Sequence, residues 1–559
     1  MILDAALLSA NIYDFCVVGS GPVGMALVLE LERLGHDVLL LESGGLECDP
    51  HGSTDSAAIL RDPLRHAPME IAVCRALGGT SWTWGGRCVP YDDVDLIDRA
   101  FVPDAQWPIS HEEIRPWYSA AVPYMSCGSD QFSIPFRQPL RDGLRLDPLE
   151  RWASNSRLIL LHRERLLASR LIHIALNCTL TGIQFQTDSG PSLSIANLEI
   201  ATPQGKRPLR ARHVILAMGG VETTRLLLHI QQSHPEQPAL FGGPDGPLGR
   251  YYMGHISGKI ASIHFDDPAA IADLDFKLDS ADGAARSWIR RRFMLDTQTQ
   301  LSHQLLNTAF WPDNPPFYDP SHRSGVLSAV FLALVFPPTG RRLLSEAIRL
   351  AHTGPRPYPL LAHLSNVVLG APRAIGDIYR ILRDRFLRKP RKPGFLVPNR
   401  SGEYALHYHA EQIPHPDSRI TLSHNQKDRF GISQAVIDLR FDQQDVDSVI
   451  RSHQLLDQAL RSNKIGHLRY WYTESQLSDA IWKQAADGFH QIGSIRMGHD
   501  PATSVVDGDL RAHGVENLYI ASSAVFPSSG QANSTLLAVA LGLRLVHHLH
   551  ANPAPVTDA

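Results

Sequence analysis

The chain has 559 residues, 43% of them hydrophobic and 20% charged, with a formal net charge of −4. That length exceeds one simple core and calls for two interlocked domains or more. Neither the composition nor the charge balance suits a disordered protein or a nucleic-acid binder.

Six cysteines (Cys16, Cys48, Cys74, Cys88, Cys127 and Cys178) all lie in the first third, with no CxxC pair and no ligand-like spacing. They read as reduced thiols, mostly small buried hydrophobes, in a cytoplasmic protein. Residues 1–9 have no basic n-region, long apolar h-region or twin arginine. The longest largely apolar stretch, 326–336, has eleven residues broken only by Ser328, short of the roughly eighteen that a spanning helix needs. The expectation is a protein neither secreted nor membrane-spanning. No set of His, Asp or Glu has a metal-ligand spacing, so no metal site is expected.

In chain order, residues 13–18, Tyr-Asp-Phe-Cys-Val-Val, read as a short, fully buried strand. Gly19-Ser-Gly21-Pro-Val-Gly24 follows, then a helical pattern to about Leu34, then a second apolar strand over 38–41 ending in Glu42. The spacing carries a mechanism. Gly19 makes the tight turn, Gly21 lets backbone approach a pyrophosphate, and Gly24 lets helix and strand pack closely. The helix N-terminus stabilises phosphate charge, and Glu42 sits where a carboxylate holds ribose hydroxyls. The motif alone leaves FAD and NAD open.

Three further segments bear on that choice. A glycine-bracketed loop, Leu77-Gly-Gly-Thr-Ser-Trp-Thr-Trp-Gly-Gly86, lies in the first hundred residues. A buried strand then runs from Arg212 into Gly219-Gly220 and a helix carrying Glu222. The third is the C-terminal stretch from His490 to about His548. With the opening motif, these segments resemble the glucose–methanol–choline (GMC) family of flavoproteins, in the family's order and at both ends of the chain. Trp107-Pro-Ile-Ser and Pro116-Trp-Tyr fall where the family has similar words, and Asn177-Cys-Thr-Leu-Thr181 looks like its adenine-flanking strand.

The resemblance implies an α/β architecture. A Rossmann-like FAD-binding domain would be assembled from 11–100, 155–245 and 490–552. An interleaved α+β substrate-binding domain on an antiparallel sheet would be built from 101–154 and 246–489. Between these ends, residues 401–423 alternate as strand, the segment from Leu439 through Val446, Ile450 and Leu456 reads as helix, 517–521 as a last buried strand, and 534–550 as a buried helix. The cofactor positions that carry over are Gly19, Gly21, Gly24, Glu42, Ser43, Gly79, Thr80, Gly85, Leu180, Gly219, Glu222, Ser523, Ala524 and Thr535.

The resemblance also implies the chemistry: hydride passes from substrate carbon to flavin N5 while a histidine takes the hydroxyl proton. Removing the proton builds negative charge on oxygen, which is what lets the adjacent C–H bond give up hydride. Phe489-His490-Gln-Ile-Gly493-Ser-Ile-Arg496-Met-Gly498 matches the family's catalytic histidine motif. The partner position falls on Asn533, as in pyranose oxidase and related sugar-oxidising members. Asn533 donates a hydrogen bond but is no base, and as an asparagine near a helix start it also suits an N-cap. His547, His548 and His550 suit a helix C-terminus; His407, His409 and His415 suit a solvated or core position more than a substrate-facing one.

Some relatives tether FAD through a histidine in the Gly-Gly loop. Thr83 stands at the equivalent position here, so non-covalent FAD is expected. Trp82 and Trp84 suit either the flavin ring or the core.

From 341 to 392 the chain carries twelve Lys or Arg against three acids, Glu346, Asp377 and Asp384. Leu343, Leu344, Ala347, Ile348 and Ala351 form one apolar stripe, and Ile375, Ile378, Tyr379 and Leu382 a second. A solvated hairpin, a lid, a dock for an electron acceptor and peripheral membrane contact all stay open for this basic insert. For the whole chain, oxidation of a sugar, glycoside or polyol hydroxyl leads. The alternatives are a lipid or other hydrophobic alcohol at a membrane surface, and a non-redox lyase that keeps FAD.

Overall fold

Ile12–Val18 (β1) and Val38–Glu42 (β2) run parallel, joined by helix Pro22–Arg33 (α1). The computed structural model describes residues 2–3, 8, 12–49, 52–187, 192–280, 285–399 and 401–552. Most of the 1–9 stretch and residue 11 lie outside them. Helix His111–Met125 (α2) follows, with strands Ile172–Leu176 (β3), Thr179–Thr187 (β4), Leu193–Thr202 (β5) and Gly205–Leu216 (β6). The sheet order is β3-β2-β1-β6-β5-β4, and the strand Leu518–Ile520 also pairs with β6. Five of these, β3, β2, β1, β6 and Leu518–Ile520, are mutually parallel, while β4 and β5 form an antiparallel extension. The parallel strands are covered on both faces, which is why β1 over 15–18 and β2 over 38–41 read as apolar runs.

Helix Gly220–Ser233 (α3) leaves the end of β6, and the C-terminal helix Thr535–Ala551 packs on both α1 and α2. The expected substrate segment 101–154 is therefore divided. Ile114, Tyr118, Val122 and Met125 of α2 join the core of the parallel sheet, while Leu149–Trp152 joins a small antiparallel sheet.

The second large sheet is antiparallel. It contains His255–Phe265 (β7), Phe293–Leu295 (β8), Thr308–Asp313 (β9), Glu403–Ala410 (β10) and Gly466–Tyr470 (β11), in the order β11-β7-β10-β9-β8. The alternating stretch 401–423 thus holds β10 and the start of Arg419–Lys427, with a turn between them.

The insert is helical: Gly325–Val335 (α4), Pro337–Leu343 (α5), Glu346–Thr353 (α6) and Leu360–Leu382 (α7). Extended backbone at Leu344 (φ −138°, ψ 154°) ends α5. The stripe expected over 343–351 is therefore split between two helices, and the side chain of its Ala347 lies outside the described residues. α7 packs on α4, where Gly370 and Gly325 meet: a Cβ on Gly370 would lie 3.0 Å from Gly325 Cα. Helix Gln443–Ser462 (α8) begins later than Leu439 because Asp442 and Asp445 form a capping box there.

Cys48 and Cys74 are joined in a disulfide, which corrects the reading of six reduced thiols. A backbone bridge between Gly45 and Ala76 draws the two loops together, leaving their Cα atoms 5.9 Å apart. Cys16, Cys88, Cys127 and Cys178 are free and buried.

Candidate active site

His490 lies in a loop that two glycines seat against the antiparallel sheet. Met253 and Ile492 exchange backbone hydrogen bonds of 2.8 and 3.1 Å. A Cβ on Gly254 would meet Asp487 O at 2.3 Å, and one on Gly493, at φ +89°, would meet Tyr251 O at 2.2 Å. The loop can approach this closely only with glycine at both places. Pairing beside Met253 then carries His490 to His255, the first residue of β7.

The ring contacts follow. His490 Nδ1 is 2.8 Å from His255 Nδ1, and Asn533 Nδ2 is 2.9 Å from His490 Nε2. An amide N–H can only donate, so His490 Nε2 accepts, and its proton sits on Nδ1 facing His255. In that tautomer the one lone pair of His490 is on Nε2, where it accepts the Asn533 N–H. The Asn533 amide oxygen is buried and has no hydrogen-bond partner. Asn533 is not the N-cap of the C-terminal helix. Ser534 holds that position, and the Asn533 side chain goes to His490 instead.

His409, on β10, stacks on His255 with ring centroids 4.4 Å apart and 18° between planes. Its Nε2, like that of His255, is buried without a partner. Sequence reasoning missed His255, and it set His409 aside among residues of a solvated or core strand. The His-Tyr-His alternation at 407–409 was the available signal. His407 faces the same way, stacked on Trp311 at 4.5 Å and 2.9 Å from Ser257 Oγ. His415 sits in a turn, accepting from Asp417 N at 3.0 Å.

Burial first, then the positive charge of Arg87, lowers the pKa of His490 to about 4. His255 is held well below the ordinary imidazole range by burial, then by His490 and Arg87, and His409 by burial, then by His255, Arg87 and His490. All three rings are therefore neutral near pH 7, which suits a base and its supports. Arg87 is ion-paired with buried Glu150, which Arg290 also contacts at 2.6 Å.

His255, His409 and His490 bring one ring nitrogen each within 4.8 Å of the others, a set that the sequence spacing did not show and that could hold a metal. Two features favour a hydrogen-bonded cluster instead. The 2.8 Å contact between His255 and His490 is a hydrogen-bond length, and stacked rings point their nitrogens side by side rather than at one centre.

The loop bearing Asn533 is pinned throughout. Trp107 Nε1 donates to Ser528 Oγ (2.9 Å), Gln412 N to Ser529 Oγ (2.9 Å), and Gln531 Nε2 to Asp92 (2.8 Å).

Of the residues expected at the cofactor, Gly19, Glu42 and Gly219 stand at or just beyond the C-terminal ends of β1, β2 and β6. Gly19 has φ +98°, and a Cβ on Gly24 would lie 1.8 Å from Gly19 O, so both positions need glycine. A Cβ on Gly21 would meet open space within 4 Å, the cradle that a phosphate group fills beside a helix N-terminus. Glu42, at the end of β2, accepts from Ser20 N (3.1 Å) and Gly44 N (2.8 Å) and is raised in pKa by burial. Ser43 Oγ lies 3.4 Å from Glu42. Gly79 opens the 3-10 turn Gly79–Trp82, and a Cβ there would lie 2.6 Å from Gly21 Cα. Thr80 Oγ1 accepts from Cys74 N at 3.3 Å, and Gly85 borders open space.

Thr83 Oγ1 donates to Thr80 O, Trp82 Nε1 to Leu77 O at 2.9 Å, and Trp84 Nε1 to Ser156 O. Leu180 is buried on β4, and Gly219 (φ +80°) caps α3. Glu222 is held in ion pairs with Arg75 (3.1 Å) and Arg225. Ser523 Oγ donates to Gln491 O (2.7 Å) beside buried Ala524, tying this turn to the His490 loop, and Thr535 opens the C-terminal helix.

Comparison with known proteins supplies the class. The family model described as GMC oxidoreductase matches residues 414–542. The chain is 23% identical to 6'''-hydroxyparomomycin C oxidase of Streptomyces lividus over 97% of its own length and 93% of that protein. It is 34% identical to the fructose dehydrogenase large subunit of Gluconobacter japonicus over 25% of this chain, and 30% identical to paromamine 6'-oxidase of Streptomyces fradiae over 35%. Those two matches span 23% and 32% of the relatives' own lengths. A solved fungal aryl-alcohol oxidase superposes with TM-score 0.53 at 14% identity, covering 97% of this chain and 99% of that one, a likeness of fold alone. The mixed α/β fold is shared with a solved oxidase, and residues 414–542 resemble the GMC oxidoreductase family.

Proposed function

We propose that the protein oxidises a hydroxyl group of a sugar, aminoglycoside, other glycoside or polyol to a carbonyl, with non-covalently bound FAD and His490 as base. The contact that carries the reading is Asn533 Nδ2 at 2.9 Å from a His490 Nε2 whose proton lies on its far nitrogen. A substrate hydroxyl entering between the two would break their bond, its oxygen taking over the Asn533 N–H and leaving the Nε2 lone pair for its proton. His490 Nε2 takes the hydroxyl proton, and Asn533 donates to the oxygen as its negative charge grows. His255 accepts from His490 Nδ1 and holds the ring's tautomer and direction.

Bound FAD supplies the hydride acceptor. Gly19, Gly21 and the start of α1 would receive its pyrophosphate, Glu42 its ribose, and the 3-10 turn at Gly79 and Thr80 would lie alongside, in a Rossmann-like FAD-binding domain. Leu180, Gly219, Ser523, Ala524 and Thr535 would complete the cradle. Thr83 offers no ring nitrogen for a covalent link. The sugar class is supported by the names of three relatives: a fructose dehydrogenase subunit, a hydroxyparomomycin oxidase and a paromamine oxidase.

Anaerobic mixing of the FAD-containing protein with sugars, aminoglycosides and long-chain alcohols, followed by flavin absorbance, tests the assignment. Bleaching by a sugar-type compound is expected. Bleaching by long-chain alcohols alone would move the substrate to the lipid class.

A further inference from the structure

The insert turns its apolar side outward. On α7, the residues facing α4 are small or polar: buried His363 lies 3.0 Å from Ser328 Oγ, Asn366 donates to Pro320 O at 2.8 Å, and Gly370 packs on Gly325. The opposite face carries Leu361 (84% exposed), Val368 (72%), Leu369 (80%), Ile375 (70%) and Tyr379 (63%), with Leu387 (76%) just beyond the helix. Leu361, Val368, Ile375, Tyr379 and Leu382 recur at spacings of seven, seven, four and three, which is one continuous helical stripe. A soluble helix does the reverse, burying its leucines and exposing its polar groups. A contiguous apolar face of this length marks an interaction site.

Charge selects the occupant. Arg380, Arg383, Arg388, Lys389 and Arg391, on α7 or in the segment just after it, are all exposed, and Arg383 follows Tyr379 by one turn on the same face. The insert's three acids, Glu346, Asp377 and Asp384, are each already ion-paired within it. A second copy of the same basic face would be repelled. Among the described residues no single helix is long and apolar enough to cross a membrane, so a helix of this kind lies along a bilayer rather than through it.

We propose that α7, with the basic segment through Lys392, docks the protein on an anionic lipid bilayer. The apolar stripe enters the acyl boundary, and the arginines and lysines meet the headgroup phosphates. α6 holds the device to the antiparallel sheet, with His352 stacked on Phe317 at 5.2 Å. The docking is independent of the substrate.

The test is co-sedimentation of the purified full-length protein with vesicles of phosphatidylcholine alone, or with about one third phosphatidylglycerol. Two triple variants accompany it, Leu361→Gln/Leu369→Gln/Ile375→Gln and Arg383→Gln/Arg388→Gln/Lys389→Gln. All six residues are exposed, and circular dichroism checks that folding is intact. Wild type should bind the anionic vesicles, weaken as salt rises, and lose about tenfold or more in affinity in either variant. Three results would overturn the proposal: wild type left in the supernatant with anionic vesicles, the leucine variant binding as well as wild type, or a dimer in solution that the leucine variant dissociates.

Discussion

His490 and His255 stand 235 positions apart in sequence with their Nδ1 atoms 2.8 Å apart, so a strand of the antiparallel sheet sets the ring that the C-terminal loop presents. That makes His255 a positioning residue. His255→Phe keeps a ring but removes the acceptor for His490 Nδ1–H. Turnover should drop by about tenfold or more with flavin content unchanged, and the acid limb of the pH profile should move. His255→Gln, whose amide oxygen accepts, should recover part of the loss. A purely structural role would not distinguish these two variants at equal stability.

The pH dependence follows from burial. With His490 held at about 4 by burial and by Arg87, kcat/KM should rise as pH increases through that value and be level towards neutrality. Asn533→Asp would place a carboxylate where the amide now lies 2.9 Å from Nε2, stabilising the imidazolium. The limb should then shift upward by about one unit or more. An unmoved limb would mean that another group titrates in the profile.

Stability should vary with pH in the same direction. His490, His453 and His352 are each depressed to about 4, mainly by burial. Between there and the unfolded value near 6.5, the unfolded chain binds more protons than the folded one, so stability rises with pH across that window. Thermal melts should show Tm falling steadily from pH 7 to pH 5. A Tm constant over that range would contradict the neutral, buried state of these rings.

The Cys48–Cys74 bridge closes a loop across a separation of 26 residues. Loop-closure entropy for such a length is about 3 kcal/mol. Cys48→Ser/Cys74→Ser should lower unfolding stability by about that amount, measured in denaturant melts, and added reductant should leave the variant unaffected.

The parts of the fold visible in sequence are those where a local rule has a single answer. Gly19 and Gly24 announce their turn because no other residue fits beside Gly19 O. The apolar runs 15–18 of β1 and 38–41 of β2 announce a buried parallel sheet. His490 and Asn533 are legible as a pair only through their resemblance to a family motif. His255 carries no local signal and His409 only the His-Tyr-His alternation at 407–409, because strand pairing, not spacing, stacks them. The disulfide likewise depends on the Gly45–Ala76 bridge between distant loops. In the insert, periodicity reveals an apolar stripe but not which side of the helix is covered. Small residues at Gly325 and Gly370 decide that, by letting the polar face of α7 pack inward.

The central claim is that His490 is the base of a flavin-dependent alcohol oxidation, and stopped-flow anaerobic reduction of His490→Ala tests it most directly. The account predicts FAD bound as in the wild type, with the rate of flavin reduction by the best sugar-type substrate lowered about a hundredfold or more. Reduction by His490→Ala at the wild-type rate, with FAD in place, would contradict it.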